Sequence, residues 1–314
     1  MRVLLAGATG VIGRALLPLL RGERHHVTVL VRDQAAAAEL DVDRVVVADL
    51  LDRHAVHAAV FSAAPEVVVH QATALRPGTG DTRWEVFERT ARVRTEGTAN
   101  LVDAALASGT RRVVAQSIAF ATAPHGGPLL DEEAPLYLDP PDAVWSTTVR
   151  AIAELERLVL HTSGVEGVVL RYGTLYGRDT AYDLNGPFGQ AVRLGKLPLI
   201  GDGTGINSFL HVEDAADAAA TAVMSRATGL FNIVDDDPAT ARTWLPHYAR
   251  AFDGPHPRQV PAELGARLLG WFAAHQQTRL RGASNRKARE QLGWRPGVSS
   301  WRNGQRLCLV GAGR

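Results

Sequence analysis

A glycine-rich segment near the amino terminus carries the clearest chemical signal in this chain of 314 residues. It reads Ala6-Gly7-Ala8-Thr9-Gly10-Val11-Ile12-Gly13, so a glycine recurs at every third position. Glycines in such a turn let backbone amides approach a pyrophosphate, and the free N–H groups that begin a following helix attract the anion. The spacing therefore predicts a dinucleotide site formed by Gly7, Thr9, Gly10, Val11, Ile12 and Gly13.

The residues that end the second predicted strand indicate which dinucleotide binds. An acid at that point would accept hydrogen bonds from a ribose 2′-hydroxyl, but Val31 is followed by Arg32 and only then by Asp33. Arg32, together with Arg14 after the third glycine, suits a 2′-phosphate through charge-assisted contacts. We expect NADP(H) as the cofactor, and NAD(H) only if Asp33 binds the ribose instead.

Short apolar runs alternate with amphipathic stretches, and this alternation must position the glycine turn. The runs at 3–6, 27–31, 44–47, 66–70, 112–115 and 165–170 read as buried strands. The stretches at 11–21, 52–63, 81–108 and 144–161 have helical apolar spacing, with Asp52 as a predicted N-cap. The fold class that follows is α/β, a Rossmann-type doubly wound parallel sheet with helices on both faces.

A looser glycine- and proline-rich region follows residue 172, and the chain then returns to a helix at 212–225 and a strand at 230–234. This pattern predicts a smaller, interleaved C-terminal substrate lobe. We expect a dinucleotide-binding core at 1–172 with 209–236, and a substrate-binding lobe at 173–208 with 237–314.

Composition excludes several classes of function. The 34 basic and 33 acidic residues give a net charge of +1, so nucleic acid is not an expected partner. No apolar run reaches the roughly 18 residues of a membrane helix, so no membrane partner is expected. Cys308 is the single cysteine, which excludes an intrachain disulfide and suits a cytoplasmic location. His54 and His57 have no evident third ligand, so no metal is expected.

Several further motifs, in order along the chain, resemble the extended short-chain dehydrogenase/reductases, the NAD(P)-dependent epimerase/dehydratase group. They are Asp49-Leu50, His70-Gln71-Ala72-Thr73, Glu96-Gly97-Thr98-Ala99-Asn100-Leu101, the segment from Leu170 to Gly177, the segment from Phe209 to Ala216, and the closing Ser284-Asn285-Arg286-Lys287-Ala288 with Leu292-Gly293-Trp294. The resemblance implies that Asp49 and Leu50 contact the adenine. It further places Ala72, Thr73 and Tyr172 along the cofactor.

The resemblance also implies a proton relay, in which a Ser or Thr near the fifth strand orients the substrate oxygen and a Tyr-x-x-x-Lys pair transfers the proton. Ser117 matches the first residue, but the helix at 144–161 has neither Tyr nor Lys. If Glu154 marks the usual acid of that helix, Ser146 replaces the tyrosine and Arg150 the lysine. Arg150 is then a candidate catalytic residue and ribose ligand, although an always-charged guanidinium cannot relay a proton. Arg94 replaces an asparagine that the family usually carries.

The proton is therefore expected to come from a non-standard donor or from water. The candidate donors are Tyr176, Tyr182, His125 and His211, with Tyr176 as the catalytic choice. Relatives that act on nucleotide-sugars commonly have an arginine just before Phe209, and this chain has Asn207-Ser208. A small substrate other than a nucleotide-sugar is favoured, in a pocket formed by Trp145, Tyr182, Phe188 and His211.

The sequence thus predicts an NADP(H)-dependent oxidoreductase that acts on a carbonyl or alcohol with a non-standard proton donor. The alternatives are a non-redox isomerase, lyase or cyclase on the same scaffold, and a non-catalytic NADP(H) sensor. The resemblance also implies a possible homodimer through the helices at 81–108 and 144–161.

Overall fold

The structure, a computed structural model, describes residues 1–75 and 84–304, in which strands and helices alternate. The strands are β1 (Arg2–Ala6), β2 (His26–Val31), β3 (Arg44–Val47), β4 (Val67–His70), β5 (Arg112–Ile118), β6 (Leu129–Leu130), β7 (Glu166–Tyr172), β8 (Thr174–Tyr176), β9 (Leu199–Ile200), β10 (Ile206–Asn207), β11 (Phe209–His211), β12 (Gly229–Ile233), β13 (Ala239–Thr240), β14 (Gln259–Val260) and β15 (Gly282–Ala283). The α-helices are α1 (Val11–Gly22), α2 (Arg53–Ala63), α3 (Trp84–Arg92), α4 (Thr98–Ala107), α5 (Ala143–His161), α6 (Pro187–Arg193), α7 (Val212–Met224), α8 (Ala241–Ala251), α9 (Ala262–Leu269) and α10 (Trp271–Thr278). Two 3₁₀ segments (Gln34–Ala37 and Ala119–Ala121) and two π-helical turns (Val93–Gly97 and Ala288–Leu292) accompany them.

Seven parallel strands form the central sheet in the order β3-β2-β1-β4-β5-β7-β12. Both faces of this sheet are covered, one by α1 and α7 and the other by α2, α4 and α5. Strands buried on both faces read as continuous apolar runs, which is why they could be located from the sequence. The predicted α/β fold, a doubly wound parallel sheet, is confirmed.

Local signals placed several element ends correctly. The carboxylate of Asp52 accepts a hydrogen bond of 3.1 Å from Ala55 N–H and so caps α2, as predicted. Asp142 caps α5 in the same way through Trp145 N–H at 2.8 Å. The fifth strand is longer than predicted and continues to Ile118, so Ser117 lies within β5.

The single helix predicted at 81–108 is divided in the structure. Residues 81–83 lie outside the described residues, and the remainder forms α3, the π-helical turn Val93–Gly97 and then α4. A π-helical turn inserts one extra residue without changing the apolar spacing on either side, so periodicity alone does not reveal it. The turn changes the direction in which residues of this segment point.

Short strand pairs and an aromatic cluster lie beyond the main sheet. The pairs are β8 with β11, β9 with β14, β10 with β13 and β6 with β15. The cluster includes Tyr176, Phe209, Trp244, Tyr248 and Trp301. The division into a core and a substrate lobe at the boundaries given above stays a prediction. Among the described residues, no helix combines the length and hydropathy needed to cross a membrane.

Candidate functional site

The glycine turn joins β1 to α1 in a conformation that requires its glycines. Gly7 has a φ of +93°, and a Cβ there would lie 2.5 Å from the carbonyl carbon of Gln71. A Cβ on Gly13 would overlap the carbonyl oxygen of Gly7, because the helix packs directly on the turn. Gly10 precedes α1 as its N-cap, and the first turn of α1 has no acidic side chain. The helix N-terminus is thus open to an anion, which fits the pyrophosphate of a dinucleotide.

A groove of about 670 Å³ runs from this turn across the ends of β2 and β3. The predicted cofactor residues that line it are Gly7, Thr9, Gly10, Arg32, Asp49, Leu50, Ala72 and Thr73. Val11, Ile12 and Gly13 line the adjoining cavity, which shares Gly10, Gln71 and Thr73 with the groove. These residues, brought together along one continuous cleft, fit an extended dinucleotide.

Arg89 lies in the same groove and was not identified from the sequence. Its Nη2 donates a hydrogen bond of 2.6 Å to Asp49 Oδ2, while Asp49 Oδ1 accepts one of 3.1 Å from Leu51 N–H. The pair joins α3 to the end of β3 and holds the Asp49 carboxylate in place. An arginine on an amphipathic helix is an ordinary surface feature, so the sequence offered no signal for it.

Arg14 is not brought to the groove. It is exposed, its Nε donates to the carbonyl oxygen of Thr9 at 3.1 Å, and it lines a separate surface hollow with Arg21. Arg32 is exposed at the end of β2, and the Asp33 carboxylate accepts a hydrogen bond of 3.0 Å from Ala35 N–H. Of the two predicted phosphate ligands, the structure places Arg32 alone in the groove.

A cavity of about 390 Å³ continues the cleft beyond the first turn of α1. Its walls include the end of β5, the segment after β7, α10 and the π-helical turn Val93–Gly97. Six of the residues that form these walls are aromatic, namely Phe87, Phe120, Tyr172, Tyr182, Phe188 and Phe272. Tyr182 and Phe188, both predicted substrate residues, stack with ring centroids 4.5 Å apart. The cavity suits a flat, largely apolar compound.

Ser117 lines the cavity, and its hydroxyl is already engaged. Its Oγ donates to Glu156 Oε1 at 2.7 Å, and Glu156 is held in turn by two hydrogen bonds of 2.7 Å from Arg171. All three side chains are buried. The hydroxyl proton of Ser117 therefore points to a carboxylate of the fold and away from any substrate oxygen.

The role predicted for Arg150 depended on aligning α5 with the family motif through Glu154. The structure favours Glu156 as the acid for this alignment. Glu154 lies near the surface and pairs with Arg157, whereas Glu156 faces the core. A register set by Glu156 moves the tyrosine and lysine positions to Thr148 and Ile152. These are buried residues that carry no such chemistry.

Arg150 itself is exposed, pairs with Asp139 and lines neither the groove nor the cavity. The structure therefore does not support Arg150 as a ribose ligand or catalytic residue. Its side chain leaves α5 on the solvent side, whereas Glu156 lies on the side that faces the core.

Four further predicted residues lie outside the cavity wall. Tyr176 and His211 are buried next to each other, with ring centroids 5.2 Å apart, where β8 pairs with β11. Trp145 lies behind the wall and packs on Phe272 at 4.2 Å. His125, one of the alternative donors, does not line the cavity either. The resemblance placed their segments near the cleft, but it did not show in which direction the side chains point.

The tyrosines that reach the cavity are poorly suited to proton transfer. Burial raises the pKa of both Tyr172 and Tyr182 above that of an ordinary phenol. Tyr172 Oη also accepts a hydrogen bond of 3.1 Å from Gln71 Nε2. A relay tyrosine needs a lowered pKa, supplied by a nearby cation. Among the described lining residues no tyrosine has that environment.

Comparison with known proteins agrees with a dinucleotide-binding cleft at this position. Residues 3–233 match the model of the NAD dependent epimerase/dehydratase family. The chain is 60% identical over 304 residues to a 3-diazoavenalumate denitrifying reductase from Streptomyces sp., covering 97% of this chain and 99% of the relative.

Solved structures share the whole fold. A UDP-glucose 4-epimerase from Thermus thermophilus, solved with NAD, superposes with a TM-score of 0.73 at 25% identity and covers 99% of this chain and 98% of its own. The human epimerase family protein SDR39U1, solved with NADPH, has a TM-score of 0.73 at 19% identity, with 99% of each chain covered. The predicted oxidoreductase activity and nicotinamide dinucleotide cofactor are therefore confirmed. The chain belongs to the NAD dependent epimerase/dehydratase family and is an oxidoreductase of the short-chain dehydrogenase/reductase type.

Proposed function

We propose that this chain is an NADP(H)-dependent reductase that replaces the nitrogen of a diazo compound with hydride. The name of its 60% identical relative describes a reductase that removes nitrogen from a diazo acid. In the diazonium form, R–N₂⁺ + H⁻ gives R–H + N₂. The hydride adds to the carbon that bears nitrogen, the C–N bond breaks, and its electron pair leaves with N₂. A bound reduced nicotinamide supplies that hydride and is oxidised.

The observation that carries this proposal is that the described residues of the cavity wall include no tyrosine with a lowered pKa that could act as the proton relay of the family. Reduction of a carbonyl leaves an alkoxide that needs a proton, and the Tyr-x-x-x-Lys pair of the family donates this proton. Loss of N₂ from a diazonium carbon consumes no proton. A site in which Ser117 donates to Glu156, and in which burial raises the pKa of Tyr172 and Tyr182, suits the second reaction better.

The remaining residues of the wall position the reactants and exclude water. Tyr172 and Gln71, joined by their hydrogen bond, lie where the cleft turns from the glycine turn into the cavity, and would hold the nicotinamide end. The stacked pair Tyr182 and Phe188 offers a flat face to a conjugated substrate. Glu156 and Arg171 keep β5, α5 and β7 together beneath the reacting atoms. When the substrate fills this pocket, its apolar walls would limit attack by water on a diazonium group.

Arg32 supports NADP(H) as the preferred dinucleotide. Its side chain lines the groove and has no hydrogen-bond or ion-pair partner in the part of the chain that the structure describes. Asp33 lines the groove as well, where its Oδ1 accepts a hydrogen bond from Ala35 N–H, and Arg32 is the cation there that could pair with a 2′-phosphate. Titration of both nucleotides tests this. NADPH should bind at least about tenfold more tightly than NADH, and Arg32→Ala should remove the difference. Equal affinities in the unaltered protein would contradict the preference.

The reaction is tested by incubating purified protein with NADPH and 3-diazoavenalumate while nicotinamide absorbance and N₂ release are measured together. One N₂ should appear for each NADPH oxidised, and a panel of ketones and aldehydes should be reduced far more slowly. Nitrogen release without NADPH oxidation would favour a non-redox lyase. Rapid reduction of the carbonyl panel alone would support the carbonyl reduction predicted from the sequence.

The homodimer also stays a prediction, and light scattering should give twice 33.7 kDa if it forms.

A further inference from the structure

Arg94 occupies an unusual place in the cavity wall. It lies in the π-helical turn Val93–Gly97 between α3 and α4, and its side chain lines the cavity. It is only 4% exposed. Single π-helical turns inside longer helices are frequent at functional sites, because they redirect a side chain that regular helical spacing would point elsewhere.

The guanidinium of Arg94 has no protein partner within the residues described. No hydrogen bond or ion pair engages it, and its Nε is buried without an acceptor. Burial alone lowers its pKa to about 10, a value that still leaves the group charged at neutral pH. A buried cation left unpaired costs folding free energy, so its retention needs a reason outside the fold.

The two other arginines buried to this degree in the described chain are both paired with a carboxylate. Arg112 is fully buried and contacts Glu166 at 2.8 Å. Arg171 is 3% exposed and contacts Glu156 at 2.7 Å. Within the described residues, Arg94 is thus the one arginine buried to this degree that has no carboxylate partner.

Among the described residues that line the cavity, no acid competes for Arg94. Asp179, the one carboxylate among the described lining residues, is exposed and faces Arg178. His70, the titratable neighbour, has a pKa lowered to about 4, first by burial and then by the charge of Arg94, so it is neutral. The wall to which Arg94 belongs also contains aromatic side chains, Phe87 and Phe120 among them. A flat apolar body with one anionic end complements this surface.

We infer that Arg94 binds the carboxylate of an aromatic or conjugated acid and so orients that acid in the cavity. The fork of a guanidinium holds a carboxylate through two parallel hydrogen bonds, which fixes its direction as well as its position. In the reaction proposed above, on which this inference rests for its catalytic meaning, such an anchor aims the diazo carbon at the nicotinamide. Arg94 is a substrate-binding and specificity-determining residue.

Equilibrium binding tests this without any turnover. The probes are trans-cinnamate and trans-cinnamamide, which have the same shape but differ in charge, and calorimetry is run on the protein saturated with NADP⁺. Cinnamate should bind at least about tenfold more tightly than the amide. Arg94→Met, which keeps the length of the side chain without its charge, should weaken cinnamate binding about 30-fold or more and leave the amide unchanged.

Two further measurements exclude a structural role for Arg94 and a role in nucleotide binding. Removal of an unpaired buried charge should not destabilise the fold, so Arg94→Met should melt at or above the temperature of the unaltered protein. Arg171→Met, which breaks a buried pair, should melt clearly lower. The affinity for NADPH should be the same in Arg94→Met as in the unaltered protein.

Several results would overturn the inference. They are a failure of cinnamate to bind, an affinity no better than that of the amide, and normal binding of cinnamate to Arg94→Met. A parallel loss of NADPH affinity in Arg94→Met would assign the side chain to the cofactor instead. The binding assay uses no diazo compound, so it is independent of the reaction assay. Tight, charge-dependent binding of cinnamate together with no reduction of 3-diazoavenalumate would refute the proposed reaction alone. Diazo reduction that is insensitive to Arg94→Met would refute this inference alone.

Discussion

Neutralising Glu156 should destabilise the protein severely, because this carboxylate is the only acid that contacts buried Arg171 in the described residues. Glu156→Gln keeps the shape of the side chain and removes its charge. Arg171 is 3% exposed and makes both of its hydrogen bonds to Glu156 at 2.7 Å, so the change leaves an uncompensated cation beneath the cavity. Breaking a buried pair in this way costs about 3–5 kcal/mol. That is a large share of the roughly 5–15 kcal/mol that stabilises a typical domain.

Glu154→Gln is the matched control on the same helix. Glu154 pairs with Arg157 near the surface, where such pairs contribute about 0–1 kcal/mol. The assay is guanidinium unfolding followed by circular dichroism, with the midpoint compared at constant slope. Similar midpoints for the two variants would refute the assignment of Glu156 as the buried acid of α5. They would also restore the register that placed Arg150 at the lysine position.

Three other changes test separate parts of the site and the fold. Gly13→Ala should abolish NADPH binding measured by nucleotide fluorescence, because its Cβ would overlap the Gly7 carbonyl oxygen. Gly22→Ala is the control and should bind NADPH normally, because its Cβ would have no neighbouring atom within 4 Å. Ser117→Ala should keep kcat within about threefold and lower the unfolding free energy by about 1.5–3 kcal/mol, the range for a hydrogen bond to a charged group. A loss of all turnover would show that Ser117 takes part in the reaction. Burial lowers the pKa of His275 to about 4, so the folded state resists a proton that the unfolded state accepts near 6.5, and stability is lost as pH falls through this window. His275→Gln should therefore lose about 2–3 kcal/mol less than the unaltered protein between pH 7 and 4.5, and equal losses would contradict the cause given.

The sequence was sufficient for the features that local rules determine. Parallel strands buried on both faces are continuous apolar runs, and the glycine turn follows from its spacing, so the sheet and the pyrophosphate end of the cleft were predicted in place. Asp52 was correctly identified as an N-cap for the same local reason.

Features that depend on tertiary contacts were not predictable. Glu154 and Glu156 are two residues apart, about 200° around the helix, and only the packing of Arg171 determines which one is buried. Tyr176 and His211 belong to motifs near the cleft, yet they pack against each other behind it, with Tyr176 in the aromatic cluster. The replacement of an asparagine by Arg94 was visible in the sequence, but its burial without a partner was not, since that depends on a π-helical turn.

The transfer of hydride to the diazo carbon is the central claim, and isotopic labelling tests it most directly. Purified protein converts 3-diazoavenalumate once with NADPH deuterated at both C4 positions in ordinary water, and once with ordinary NADPH in deuterium oxide. We predict one deuterium on the carbon that loses nitrogen in the first reaction and none at that carbon in the second, because the new C–H bond is formed by the hydride of the nicotinamide and not by a solvent proton. Deuterium acquired from the solvent at that carbon would contradict direct hydride transfer.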